Sequence, residues 1–259
     1  MSSVPAVVAL NTFRESVRDR VLYNLIFFAL VMIAAAVVVG KISIGVDHEV
    51  IINLGLTAIS LFGLVMAIFI GVGLVHKEME KRTLYSLLAK PVRRWQFLTG
   101  KYFGLLLTLT VNTAVMAAGI FVALLYVNHK LVRSDAHILV AVYFILLQLA
   151  LITAIALFFS CFSTPMLSTI FTLGFYVAGT FASDIRGVGT LTGSLSLKIV
   201  TSMIYYLLPN FSNFNIIAVT AHGHAIPKAL IALNTAYAAI YIGAVLLAAS
   251  AIFSNRNLK

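Results

Sequence analysis

Six long stretches without a single Asp, Glu, Lys or Arg limit what this chain can become: Val21–Gly40, Val50–Val75, Tyr102–Val127, Ile138–Phe162, Pro165–Ser183 and Ala229–Phe253. A bilayer core about 30 Å thick is crossed by roughly 20 apolar helical residues, and the stretches are of that order. In lipid every backbone N–H and C=O must be bonded within the protein, which leaves helices or closed barrels. A barrel needs short strands alternating apolar and polar residues, and these runs do not alternate. Of the 259 residues 61% are hydrophobic and 10% charged, whereas about a quarter are charged in an average soluble domain. The expectation is an all-α integral membrane protein: one transmembrane domain over residues 1–259 with six transmembrane helices at 21–40, 50–75, 102–127, 138–162, 165–183 and 229–253.

The formal charge of +10 does not point to nucleic acid, because the basic residues sit at the mouths of the apolar runs and not along one solvent face. Arg14, Arg18, Arg20, Lys77, Lys81, Arg82, Lys90, Arg93, Arg94, Lys101, Arg256 and Lys259 fall on one side of the expected topology, twelve of the eighteen Lys and Arg. Lys41, Lys130, Arg133, Arg186, Lys198 and Lys228 fall on the other. The positive-inside bias then places both termini in the cytoplasm. A charged amphipathic stretch precedes a first run of full spanning length, so the start reads as a retained helix and not a signal peptide. Cys161 is the single cysteine, which excludes an intrachain disulfide and suits a small buried residue.

Three segments outside the runs carry information. Within 5–20, Ala6, Leu10, Phe13 and Val17 recur at helical spacing opposite Arg14, Glu15, Arg18 and Asp19. That pattern fits a helix lying in the membrane plane or an extension of the first span. His76–Lys101 holds seven Lys or Arg against Glu78 and Glu80. Its residues 78–89 favour a short amphipathic helix, with Leu84, Leu87 and Leu88 on one side and Pro91 as its stop. Trp95 and Phe97 follow as aromatic anchors at the interface. Finally, 184–228 forms a long external loop in which Ile199–Leu208 is too short to span and reads as interfacial or re-entrant.

An enzyme in the membrane would show its motifs, and none is present. His48-Glu49 is followed by Val50-Ile51-Ile52, so the zinc pattern H-E-x-x-H is incomplete. No G-x-S-x-G occurs. His222 and His224 form the one close histidine pair, without a neighbouring acid or cysteine, which is a weak metal signal. A phosphate loop is missing as well: Gly40-Lys41 leads to Ile42 and Gly100-Lys101 to Tyr102, so the chain carries no P-loop ATPase of its own.

Polar residues inside the spans turn toward protein or water. Ser168, Thr172, Tyr176 and Thr180 recur every four residues along the fifth run and form a stripe that faces either a pathway or a helix contact. Asn112 and Gln148 lie near the middle of the third and fourth runs, where they bond each other, bond backbone or touch a substrate. No run carries an ionisable Asp, Glu, Lys or Arg for a proton relay, which disfavours proton-driven transport.

The segment Lys77-Glu78-Met79-Glu80-Lys81-Arg82-Thr83-Leu84-Tyr85-Ser86-Leu87-Leu88-Ala89-Lys90-Pro91-Val92-Arg93-Arg94, completed by Gly100-Lys101, resembles the pattern of type-2 ABC exporter permeases. The likeness extends to Asn11–Arg20, to six spans with a long loop before the last, and to the basic C-terminal end. One departure is Arg82 where the family carries glycine, which favours helix by about 0.8–1 kcal/mol but removes a side-chain-free approach. The resemblance implies a permease in a bacterial or archaeal cytoplasmic membrane, paired with a second permease copy or a related chain and with ABC ATPase subunits. ATP and Mg would bind the partner ATPase, and this chain would hold no cofactor.

It further implies that 78–89 is the coupling helix, with Glu78, Glu80, Arg82, Thr83, Leu84, Leu87, Leu88 and Pro91 at the ATPase contact. The second and fifth spans would line the path with Ser168, Thr172, Tyr176, Thr180, Asn112 and Gln148, and short helices in 184–228 would close its outer end. Two other classes compete: a lipid-modifying enzyme with metal on His222 and His224, and a scaffold that moves nothing.

Overall fold

The computed structural model describes residues 4–43, 45–80, 94–130, 132, 135–191, 199, 201–203, 205–206 and 208–255. Every element among them is helical: α1 (Val4–Val17), α2 (Arg20–Ile42), α3 (Asp47–Glu80), α4 (Arg94–Asn128), α5 (Ala136–Ser160), α6 (Pro165–Thr180), α7 (Ala182–Leu191), a 3₁₀ turn at Phe211–Phe214, α8 (Ile217–Ala221) and α9 (Lys228–Asn255). Five of these helices are long and apolar enough to cross a membrane: α2, α3, α4, α5 and α9. The expected fifth span, 165–183, is instead the 16-residue α6. Phe181 ends it, and α7 resumes at Ala182.

The α1–α2 junction follows from two residues. Asp19 adopts an extended backbone (φ −76°, ψ 124°) and its side chain accepts from the Val21 N–H at 3.1 Å, an N-cap that starts α2. The chain therefore breaks between α1 and α2. α1 ends at Val17 and is a separate helix from α2.

α1 packs on the start of α4 through two glycines one turn apart. A Cβ on Gly100 would lie 2.7 Å from Val8 Cβ and 2.8 Å from the Pro5 carbonyl. A Cβ on Gly104 would lie 2.5 Å from the Ala9 carbonyl and 2.6 Å from Thr12 Cβ. Small residues four apart let helix backbones approach closely, and this G-x-x-x-G went unremarked in the sequence. The packed face of α1 is thus Pro5, Val8, Ala9, Thr12 and Ser16, while Leu10 of the apolar stripe is exposed.

The bundle is built around α5 and α3. α5 buries residues on all sides, from Ile138 to Ser160, and α3 meets it where a Cβ on Gly63 would press on Leu149 and one on Gly71 on Ala156. α2 contributes a narrow stripe, Leu22, Ala29, Ile33, Ala36 and Gly40, and presents Phe27, Phe28, Val31 and Val38 outward. An exposed apolar face of this extent suits lipid.

Contacts at the two ends fix the up-and-down order. On the side holding the N-terminus, Phe97 stacks on Phe253 with ring centroids 6.4 Å apart, and the Lys101 ammonium lies 5.4 Å from the Phe97 ring centre. Phe97, expected as an interface anchor, is instead buried against α9, whereas Trp95 is about half exposed. On the opposite side His48 Nε2 lies 3.2 Å from Asp135 Oδ1 and its Nδ1 lies 3.0 Å from Asn128 Nδ2, joining α3, α4 and α5. Asp135 Oδ2 also accepts from the Val132 N–H at 2.8 Å.

The expected helix at 78–89 does not begin as a separate element. α3 runs unbroken to Glu80, which places Glu78 and Glu80 on its last turn. Arg82, Thr83, Leu84, Leu87, Leu88 and Pro91 lie outside the described residues, as do Gly193 and part of Ile199–Leu208.

The α1 contact predicts that Gly104→Leu detaches α1 from α4. Overpacking of this kind destabilises by about 1–3 kcal/mol, so the variant should melt at lower temperature in detergent. A cysteine at Thr12, in a background lacking Cys161, should become reactive to a small thiol reagent in that variant alone.

Candidate functional site

A cavity of about 80 Å³ opens between α3, α5, α6 and the segment after Pro209, lined on its polar side by Ser60, Gln148, Tyr176, Thr180, Ser212 and Asn215. Gln148 stands on α5 and is buried at 5% exposure, which leaves its amide no exit to solvent. Its Nε2 donates to Tyr176 Oη at 3.4 Å. Thr180 turns its hydroxyl back to the Tyr176 carbonyl at 2.8 Å. The cavity reaches from the side opposite the N-terminus toward mid-bundle, since Thr180 ends α6 and Gln148 lies twelve residues into α5.

The segment 209–221 closes it. Phe211 and Phe214 are buried in the core at 2% and 1% exposure, and the Phe211 ring lies 5.3 Å from that of Tyr176. Asn210 starts the 3₁₀ turn by accepting from the Ser212 N–H at 3.2 Å, and its own N–H donates to Tyr237 Oη at 2.9 Å. Asn234 Nδ2 donates to the Asn213 carbonyl at 3.1 Å, so α9 holds the turn at two points. Gly179 admits it on the α6 side: the Pro209 carbonyl and the Phe211 ring occupy the space a Cβ would take.

The structure brings together three of the six residues expected on a path: Gln148, Tyr176 and Thr180. Ser168 and Thr172 face the protomer's own interior, at 0% and 1% exposure. Ser168 Oγ pairs with Ser163 Oγ at 2.7 Å, and Thr172 Oγ1 donates to the Ser168 carbonyl at 2.7 Å. Asn112 is buried between α4 and α3, its Nδ2 donating to Met66 Sδ at 3.6 Å. Asn112 and Gln148 therefore do not bond each other.

Sequence reasoning missed Ser60, Ser212, Asn215 and the aromatic plug of Phe211 and Phe214. A signal was present in Asn210-Phe211-Ser212-Asn213-Phe214: aromatic residues three apart, framed by turn-forming asparagines, require a buried face too short to span.

The histidine pair offers less. His222 Nδ1 bonds the Ala218 carbonyl at 2.8 Å and its Nε2 lies 3.8 Å from Glu49 Oε2, while the His222 and His224 rings are 6.3 Å apart. Among the described residues no group of three His, Cys, Asp or Glu is placed to hold a metal ion.

At about 80 Å³ the cavity admits a few waters, each taking roughly 30 Å³ in the liquid. It is well below the roughly 300–1,000 Å³ of sites that enclose a ligand. A polar space this small, bordered by the buried Phe211 and Phe214, holds water and does not enclose a ligand.

If Gly179 and Phe211 hold the plug, Gly179→Val should push it out, and Phe211→Ala should destabilise the protein by about 3–5 kcal/mol. Labelling of a cysteine at Phe214 by a small thiol reagent, with Cys161 replaced, checks the first. Labelling should be slow in the parent and at least several-fold faster with Gly179→Val; equal rates would place the plug elsewhere.

No curated protein matches the chain. A family described as ABC-2 family transporter protein matches residues 6–257, which takes in every helix from α1 to α9 almost to both ends. The chain belongs to this family of membrane transport components, the permease class that works with ABC ATPase subunits.

Proposed function

We propose that this chain is the membrane-spanning permease of an ATP-driven exporter, assembled with a second permease copy or a related chain and with two cytoplasmic ATPase subunits. The observation that carries the reading is the polar cavity of Gln148, Tyr176 and Thr180 under a buried segment that enters from the side opposite the N-terminus. With the N-terminus cytoplasmic in a bacterial or archaeal inner membrane, that segment is the outer closure. Export then requires the plug to leave, so that the cavity joins a path at the seam between the two permeases. Ser168, Thr172 and Asn112 remain packed through this movement. The sparse charge along the path favours amphipathic or apolar cargo.

Coupling is assigned to the connection between α3 and α4. α3 has 34 residues, about 50 Å at 1.5 Å per residue, whereas its uncharged run ends at Val75. It therefore carries the chain past a bilayer core about 30 Å thick, and Glu78 and Glu80 begin the charged segment beyond. Arg82, Thr83, Leu84, Leu87, Leu88 and Pro91 complete the ATPase contact, with the leucines in a groove of the partner. ATP and Mg reside on that partner.

Co-expression with its neighbouring genes should recover a P-loop ATPase with this chain. Replacing Leu84 and Leu88 by Asp should leave the protein in the membrane yet release the ATPase or abolish ATP-dependent flux in vesicles. Purification without any ATPase, or unchanged binding and flux in the variant, would contradict the assignment.

A further inference from the structure

A second cavity, of about 150 Å³, lies where the end of α1, the start of α2 and α3 near Gly73 converge. It sits on the side of the membrane that holds the N-terminus, away from the plug. Its polar wall is Glu15, Ser16 and Asp19; its apolar wall includes Leu22, Leu25 and Phe69. Phe69 is 57% exposed, so the apolar wall continues onto the lipid-facing surface of α3.

Ser16 marks this cleft as more than a packing gap. Other buried hydroxyls find partners: Thr108, Thr153 and Thr172 close on the carbonyl four residues back, Ser160 on the one three back, and Ser168 pairs with Ser163. Ser16 is as buried, at 2% exposure, yet its Oγ has no hydrogen-bond partner. A hydroxyl withdrawn from water and left unpaired costs about 1–3 kcal/mol, and here it lines a space large enough for a polar group. Two carboxylates share that space. Asp19 caps α2 through Oδ1, and Glu15 stands exposed at the rim.

We propose that this cleft binds the primary-ammonium headgroup of a phospholipid in the adjacent leaflet, phosphatidylethanolamine being the simplest such lipid. An ammonium carries three N–H donors: one reaches Ser16 Oγ and the others reach Glu15 and Asp19. Arg18 and Arg20, exposed on either side of Asp19, suit the phosphate that follows the ammonium in such a lipid. The acyl chains then descend along Phe69. A choline headgroup has no N–H for Ser16 and would need an aromatic cage, whereas Phe69 is the one aromatic among the described residues of the wall. A purely anionic headgroup meets two carboxylates. The assignment rests on the cleft alone and holds whether or not the chain exports.

The test is competition in nanodiscs holding equal phosphatidylethanolamine and phosphatidylcholine with identical acyl chains. Lipids retained by the released full-length protein are then counted by native mass spectrometry. One phosphatidylethanolamine should be retained in preference, by about threefold to fivefold, the size of one surface ion pair. Glu15→Gln with Asp19→Asn should bring the ratio to that of the bulk, since Asn preserves the cap and only charge is removed. Ser16→Ala should lower it in part. If the double variant does not insert, Glu15→Gln alone carries the prediction at an exposed position. No preference in the parent, or a preference untouched by these substitutions, would overturn the proposal.

Discussion

Inside a bilayer a polar side chain has no water to fall back on, so each one must find its partner within the protein. Most of this bundle's hydroxyls meet the requirement locally. Thr108, Thr113, Thr153, Thr172, Thr180 and Thr235 each donate to the carbonyl one turn back, so their presence in a span says nothing by itself about a pathway. Groups that cannot do this determine where elements meet. Gln148 has an amide too long to fold back on its own turn, and it reaches Tyr176 on α6. Tyr237 Oη accepts from the Asn210 backbone N–H and Asn234 donates to the Asn213 carbonyl, so both hold the 3₁₀ turn to α9.

The same requirement explains which features were legible in the sequence. Uncharged runs of spanning length produced the helical class and the approximate position of every long helix, because that signal needs no tertiary knowledge. Ends were less legible: the second run was expected over 50–75, but α3 continues from Asp47 to Glu80, since charged residues outside the lipid need not end a helix. The stripe of Ser168, Thr172, Tyr176 and Thr180 was visible, but not what it faces. Two of the four close on the protomer's interior and two border the cavity, a division set by where Phe211 inserts.

Close packing without side chains was harder still to read. Gly104 and Gly179 look like ordinary helical glycines, yet the first seats α1 and the second admits the Pro209 carbonyl and the Phe211 ring. Both depend on which residue arrives from a distant part of the chain, and local pattern does not contain that. The buried Phe97 is a similar case: beside Arg93, Arg94 and Trp95 it reads as an anchor, and its ring is taken by Phe253 from the last helix.

In the proposed transport cycle the part that must move is the segment of residues 209–217 over Gln148, Tyr176 and Thr180. The most direct test uses cysteines at Thr180 and Ser212, which border the same cavity, in a Cys161→Ala background reconstituted with the partner ATPase. A short bifunctional thiol reagent, cleavable by reductant, then bridges the plug to α6. ATP-driven flux should stop on bridging and return after cleavage, while the single-cysteine proteins treated alike keep their flux. Undiminished flux through the fully bridged protein would show that transport does not require the plug to move and would contradict the account.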